Sequence, residues 1–328
     1  MSFANKQVLI TGGAGFIGSN MAIRLAAQGA HVTVMDSMLP GYGGNVFNLE
    51  PVRDTVSINF SDMRDPYSLS YIVQGKDYIF NLAGQVSHQD SMSDPLMDME
   101  INVKAQLVLL EACRKNNPAA VIVYASTRQF YGIPEYLPVD ERHPINPPDV
   151  NGINKFAGEQ YHTLYHRVHG LKTVSLRLTN TYGPRLLIKN ARQGFIGWFI
   201  NRAISGEVIQ LFGGGEQLRD FNHVDDVVEA FLLAAETPAC YGDYFNLSGD
   251  KESLYNVAHA LISAAGKGVV ERIPFPEERK KIDIGSFWGS SQKFSDVTGW
   301  HPKIDLKAGL ESTYEFYARN HGKYLEEM

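Results

Sequence analysis

Three glycines spaced by three, Gly12, Gly15 and Gly18, follow the short apolar run Val8-Leu9-Ile10. An acid, Asp36, closes the next apolar run, Val32-Thr33-Val34-Met35, eighteen residues after Gly18. That spacing can hold a dinucleotide. Gly12 permits a tight turn, Gly15 lets the backbone approach a pyrophosphate, and Gly18 lets a helix pack close to a strand. The helix that follows turns free N–H groups and a positive dipole end toward the phosphates. A carboxylate at Asp36 hydrogen-bonds a ribose diol and repels a 2′-phosphate, so the expected cofactor is NAD rather than NADP. A glycine triplet alone is weak; strand, glycines, helix, second strand and acid together are strong.

These residues need elements to position them. Short buried apolar runs predict strands at 7–11, 31–35, 55–59, 77–82, 119–125 and 172–178. Helical periodicity falls at 15–28, 66–74, 94–116 and 150–169. The alternation implies right-handed βαβ units, an α/β fold with a doubly wound parallel sheet of Rossmann type. From about 180 helical patterns near 192–205, 225–236, 253–265 and 306–320 mix with short strands, glycines and prolines. The division expected is an NAD-binding domain over 1–178, with segments near 220–236 returning to it, and a smaller α/β substrate domain over 179–328. Chemistry belongs at the carboxyl edge of such a sheet, where the loop 36–50 and the stretch 133–149 also fall.

Composition narrows the class. The 328 residues carry a net charge of −6 and no block of Lys or Arg, which argues against nucleic acid or a membrane surface as partner. Two cysteines, Cys113 and Cys240, make no disulfide framework, and no spacing suits a metal. No apolar run reaches the length of a membrane span, and the N-terminus shows no basic-then-apolar leader, so a cytoplasmic protein is expected.

Further segments carry polar residues where strands should end: Asn81-Leu82-Ala83-Gly84-Gln85, Ser126-Thr127-Arg128-Gln129, Asn151-Gly152-Ile153-Asn154-Lys155, Thr179-Asn180 and Leu218-Arg219-Asp220. With Thr11-Gly12-Gly13-Ala14-Gly15-Phe16-Ile17-Gly18 they resemble the extended short-chain dehydrogenase/reductases, in the nucleotide-sugar epimerase and dehydratase branch. The resemblance runs nearly the whole length, to Gly299-Trp300-His301-Pro302. It implies a tightly held NAD and oxidation of a sugar carbon, usually C4, with the hydride returned later. Carried over by position, Gly12, Gly15, Phe16, Ile17 and Gly18 would hold the pyrophosphate and Asp36 the adenosine ribose. Asp62 and Met63 would stand beside the adenine, and Ala83 and Gly84 would line the cofactor. Thr127 would hydrogen-bond the sugar hydroxyl being oxidised. Lys155 would bind the nicotinamide ribose and lower a neighbouring pKa. Asn180 and Arg219 would contact the substrate diphosphate, with Arg279 as a further candidate. A UDP-sugar is the default substrate. A homodimer is expected through helices 94–116 and 150–169, whose apolar residues include Val108, Leu109 and Ala112, and Phe156, Tyr161 and Leu164; the same faces also suit burial on their own sheet.

Two departures bear on the reaction. The family signature is Tyr-x-x-x-Lys, and the tyrosine position holds Asn151. An amide takes no proton at neutral pH, and a general base is worth about 10²–10⁴-fold, roughly 3–5 kcal/mol of barrier. Either His88 or a tyrosine such as Tyr131 or Tyr182 replaces it, or Asn151 works with Thr127 through a water, or the protein binds without much chemistry. The second departure follows Thr127. Sugar 4,6-dehydratases of the family carry Asp-Glu there, an acid and a base for eliminating water; here stand Arg128 and Gln129. Arg128 instead brings a cation to the sugar, suited to a carboxylate such as a uronic acid's, unless it pairs with Asp140 or Glu141. The reading is NAD-dependent epimerisation of a nucleotide-linked hexose at C4. The alternatives are another 4-keto-sugar step (C4 oxidation or an atypical dehydration) and a non-catalytic binder of NAD and nucleotide sugar.

Overall fold

The computed structural model describes residues 3–190, 194–277 and 283–325. In chain order the strands are β1 (Gln7–Thr11), β2 (His31–Met35), β3 (Ser57–Asn59), β4 (Tyr78–Asn81), β5 (Val121–Thr127), β6 (Lys172–Leu178), β7 (Asn180–Tyr182), β8 (Val208–Phe212), β9 (Leu218–His223), β10 (Tyr244–Leu247), β11 (Asp250–Ser253) and β12 (Val269–Ile273). The helices used below are α1 (Phe16–Ala27), α2 (Pro66–Ile72), α3 (His88–Ser93), α4 (Pro95–Met99), α5 (Ala105–Asn116), α6 (Val150–His169), α7 (Phe195–Ser205), α8 (Val224–Glu236) and α9 (Leu254–Ala265).

Seven strands form one parallel sheet in the order β10-β6-β5-β4-β1-β2-β3. Side chains alternate across a strand, so each central strand fills two cores. Val8, Ile10, Val34, Phe80 and Val123 pack with Met21 and Leu25 of α1 and Val228 and Phe231 of α8. Leu9, Met35, Ile79 and Ile122 pack on the other face with Leu69 of α2 and Leu109 and Leu110 of α5. The chain order reverses between β1 and β4, and that switch point opens a crevice at the carboxyl edge. α8 packs on this sheet, β10 forms its edge, and Phe294 and Trp300 join the same core, so the large unit draws on more of the second half than 220–236.

The smaller unit contains the sheet β11-β9-β7 and the pair β12-β8. Ile200 of α7, Leu211 of β8, Leu261 of α9, and Leu310 and Tyr317 of the helix Leu306–Asn320 share its core.

The expected helix over 94–116 is broken. α4 starts at Pro95 under the Asp94 cap, and a π-helical turn, Glu100–Lys104, precedes α5. A wide turn of this kind re-aims a side chain and often marks a functional site. Here Asn102 clamps the loop after β4: its Nδ2 donates to the Gln85 carbonyl at 3.0 Å and its Oδ1 accepts from the Gln85 N–H at 3.2 Å. β5 runs two residues beyond the expected strand, pairing Thr127 with Leu178, which carries Thr127 to the edge of the crevice. β3 is shorter than expected because the Thr55 and Val56 N–H groups still bond Val52 in a turn.

Leu109 and Ala112 of α5 are buried against their own sheet. On α6, Phe156 and Tyr161 are half-buried, and Ile153, Leu164 and Val168 are exposed. Among the described residues no helix is long and apolar enough to cross a membrane.

Candidate active site

The crevice at the switch point is a cleft of about 300 Å³ lined by residues from both halves of the sheet. At one end lie the glycines. Gly12 has φ +66°, and a Cβ there would stand 2.8 Å from the Ala83 nitrogen. A Cβ on Gly18 would stand 2.3 Å from the Gly12 carbonyl oxygen. The turn and the approach of α1 to β1 therefore both require glycine. No side chain caps the N-terminus of α1, and its first turn holds no acid. Uncapped N–H groups facing a cleft suit an anion, and the bare backbone leaves room for a pyrophosphate.

Asp36 reaches the same end from β2. Its carboxylate accepts from the Ala14 N–H and the Met38 N–H, both at 3.0 Å. Burial raises its pKa and these two bonds oppose the rise. Asp62 and Met63 line the next stretch. Arg64, which sequence reasoning missed, lies there too, with Nη2 2.6 Å from Asp62. Its guanidinium holds the Asp62 carboxyl below the usual range. The signal was an arginine two residues after the acid, a spacing that lets one turn bring both ends together.

At the other end Ala83, Gly84, Thr127, Asn151, Lys155 and His88 line the cleft together. Lys155 Nζ donates to the Ala125 carbonyl at 2.9 Å and lies 4.9 Å from the centre of the Tyr124 ring. Burial brings its ammonium down to about 8. A Cβ on Gly84 would meet Nζ at 2.9 Å, so this glycine makes room for the lysine. Thr127 Oγ1 accepts from the Gln129 N–H at 3.1 Å. Its hydroxyl proton remains a donor.

Beneath this wall Glu159, one turn after Lys155, accepts from Ser126 Oγ at 2.7 Å and pairs with Arg177 at 2.6 Å. The pair is buried and ties α6 to β5 and β6, fixing Lys155 relative to Thr127.

Asn151 is 2 % exposed. Its Nδ2 donates to the Gln85 carbonyl at 2.8 Å and to Asp98 Oδ2 at 3.1 Å. Asp98 also accepts from Asn154 at 2.8 Å. Sequence reasoning missed Asp98, whose only signal was its place in the interrupted helix 94–116. Also missed was the role of Asp149. It caps α6 by accepting from the Gly152 N–H at 2.7 Å, and it accepts from Gln129 Nε2 at 2.9 Å. His88 Nδ1 stands 3.0 Å from the same carboxylate.

Arg128, Asn180 and Arg219 do not line this cleft. The Arg128 guanidinium lies 4.7 Å from the Phe287 ring centre, and its buried Nη1 has no hydrogen-bond partner among the described residues. The alternative ion pair is not made: Asp140 pairs with Arg142, and Glu141 accepts from the Asn246 N–H. Burial and nearby Arg219 lower Arg128 to about 10. Asn180 Nδ2 donates to the Asp220 carbonyl at 3.0 Å. Arg219 bonds the Leu218 and Gly285 carbonyls and approaches Asp283 at 3.5 Å. Arg279 lies outside the described residues.

Known proteins share this fold. The family model described as the NAD dependent epimerase/dehydratase family matches residues 8–248. The UDP-glucose 4-epimerase of Mycolicibacterium smegmatis is 31 % identical over 312 residues, covering 95 % of this chain and 98 % of its own. The UDP-glucose 4-epimerase of Thermotoga maritima, solved with UDP-glucose, superposes with a TM-score of 0.87 at 31 % identity, over 96 % of this chain and 99 % of its own. The Thermus thermophilus UDP-glucose 4-epimerase, solved with NAD, gives 0.83 at 31 % identity, over 95 % and 98 %. A family model that spans most of the chain and relatives matched over nearly their whole length show that this chain belongs to the NAD-dependent epimerase/dehydratase family.

Proposed function

We propose that this chain epimerises a nucleotide-linked hexose at C4 through a 4-keto intermediate, with UDP as the nucleotide. NAD, when bound, supplies a reversible acceptor for the C4 hydride. Gly12, Gly15, Phe16, Ile17 and Gly18 would hold its pyrophosphate, Asp36 its adenosine ribose, Asp62 and Met63 its adenine, and Ala83, Gly84 and Lys155 its nicotinamide end. Thr127 donates a hydrogen bond to the sugar hydroxyl and orients it. Lys155 sets a positive charge beside the reacting oxygen, where developing negative charge is stabilised in a dry site.

One observation carries the choice of epimerisation over dehydration. The two side chains after Thr127 cannot act as the acid and base of an elimination. The Gln129 amide donates to Asp149, and the Arg128 guanidinium stacks on Phe287. In this reading the unpartnered Arg128 Nη1 serves an oxygen of the substrate, and Asn180 and Arg219 lie toward its diphosphate. The smaller unit would hold the nucleotide. A homodimer would form through α6, whose Ile153, Leu164 and Val168 are exposed.

The test is a panel of nucleotide sugars incubated with the NAD-loaded protein in D₂O, read by chromatography and mass spectrometry. A new isomer without deuterium supports C4 epimerisation. Loss of water, deuterium uptake or net accumulation of a keto sugar replaces it with dehydration, carbanion chemistry or oxidation. Binding without conversion of any sugar would favour the non-catalytic reading.

A further inference from the structure

The proton of the sugar hydroxyl needs an acceptor, and the residue in the family's tyrosine position does not provide one. Asn151 is buried, its amide N–H groups face Gln85 and Asp98, and its backbone N–H is held by Ser91 Oγ at 3.2 Å. Tyr131 is buried, with its hydroxyl between Asn246 and Arg177. Tyr182 is buried against Leu306 and Gly309 in the smaller unit. Tyr42 lines the cleft but interacts with Arg64, beside Asp62.

His88 remains. It is the first residue of α3, whose N-terminus Ser87 caps by accepting from the Asp90 N–H. Its Nδ1 is buried 3.0 Å from Asp149 Oδ2, while its side chain as a whole is 40 % exposed. The exposed part lies away from Nδ1, and His88 lines the cleft with Thr127, Asn151 and Lys155. With Nδ1 turned to Asp149, Nε2 is the ring nitrogen left for a ligand. The contact with Asp149 is close but not linear, as catalytic hydrogen bonds often are before substrate binds. Asp149 itself does not turn. Its side chain is fully buried and is held by the Gly152 N–H and the Gln129 amide as well. Burial favours the neutral acid, and the His88 contact, Gly152 and Gln129 outweigh it and keep the carboxyl below its ordinary range. An ionised carboxylate only accepts hydrogen bonds, so it selects the tautomer with the proton on Nδ1 and a lone pair on Nε2.

We propose that His88, oriented by Asp149, is the general base that replaces the family tyrosine. This rests on the reading that a sugar hydroxyl is oxidised in this cleft. In the forward half-reaction the sugar O–H bond breaks and the Nε2–H bond forms. The oxygen's electron pair makes the carbonyl at C4, and the C4–H pair would leave as hydride, for which NAD held in the cleft would be the acceptor. In the return half-reaction the hydride re-enters the other face of C4, and Nε2 gives the proton back to the oxygen. Asp149 is a positioning residue: it touches the histidine, and it holds the resulting imidazolium as a close counter-charge. α3 itself carries Asp90, and the helices packed against it carry Asp98 on α4 and Lys155 on α6.

The test compares NAD-loaded wild type, His88→Ala and Asp149→Asn in a single turnover, following reduction of bound NAD by its absorbance. Asparagine also caps helices well, so the second variant keeps α6 intact. The expected result is a loss of about 10²–10⁴-fold in the first half-reaction for His88→Ala, with bound NAD unchanged. Added imidazole restores part of the rate, which a merely structural histidine would not allow. The second readout needs no substrate. In ¹⁵N-histidine-labelled protein the His88 signal, assigned by its loss in His88→Ala, shows the proton on Nδ1 in the wild type and moves toward Nε2 in Asp149→Asn. Turnover of His88→Ala at near wild-type rate overturns the proposal, and so does a wild-type proton on Nε2. If the wild type converts no sugar, the C4 reading fails and the tautomer alone decides whether this pair is built as a base.

Discussion

At the glycine end of the cleft a ligand meets backbone, supplied by one continuous stretch from β1 into α1 plus the acid that ends β2. At the Lys155 end it meets side chains drawn from the loop after β4, from α3, from β5 and from α6. The first surface depends on what is missing, since a single added methyl would collide with neighbouring backbone. The second depends on what is present, because each polar group is held by another: Asn151 by Asp98 and Gln85, His88 by Asp149, Lys155 by the Ala125 carbonyl. A backbone site tolerates little change of residue type. A side-chain site can exchange its members if the exchange is supported by new partners, and in the proposed reading the Asn151 position is such an exchange.

The comparison can be broken hardest at the glycines. Gly18→Val places a branched side chain against the Gly12 carbonyl and should abolish NAD retention, with a stability loss of at least about 1–3 kcal/mol from overpacking. Bound NAD after gel filtration and a thermal melt would measure both. The next effect should fall at the other end. Lys155→Met should lower turnover by about 10²–10⁴-fold without a comparable loss of fold.

The lysine also has a pH signature. Its folded pKa is lowered from 10.5 to about 8. Between those values the unfolded chain binds more protons than the folded one, so this group makes stability rise with pH across that window. Lys155→Met should therefore be more stable than wild type at pH 7, with the gap closing toward pH 10 in denaturant titrations. Activity that depends on the ammonium should fall above about pH 8.

Restoring the family tyrosine would sharpen the contrast. Asn151→Tyr removes the donor to Asp98 and Gln85 and forces a larger ring into a buried site, so a stability loss of about 1–3 kcal/mol is expected. A variant that gained both stability and turnover would show that the His88 end is no established exchange. Smaller still should be Arg128→Met, with a larger rise in KM for a uronate substrate than for its neutral counterpart. Equal effects on both would remove the carboxylate assignment.

Much of the backbone end was legible because its signal is local. The three glycines, Asp36 and the alternation of strands and helices are consecutive features, and the parallel sheet and cleft follow from them. Asp62 and Met63 were read by position, but the Arg64 pairing was not, since it depends on how one turn folds back. The break in the helix 94–116 was half-written in Asp94-Pro95, while the π turn that aims Asn102 at Gln85 left no pattern in the residues. Arg128 drew attention by its place after Thr127, yet its stacking on Phe287, far along the chain, needed the fold.

Residue type and spacing were enough for the glycine turn and the acid at the end of β2, because a tight turn and a close helix impose sterics that few other residues satisfy. They also marked Asn151 as standing where the resemblance implies a tyrosine. They could not say which side chains would do its work, because the partners of His88, Asn151 and Lys155 lie 30 to 66 residues away in the chain. Only the packing of α3 and α4 against α6 brings Asp149 to His88 and Asp98 to Asn151. A buried carboxylate then decides which atoms carry protons, since leaving it without donors would cost more than any local preference of the chain.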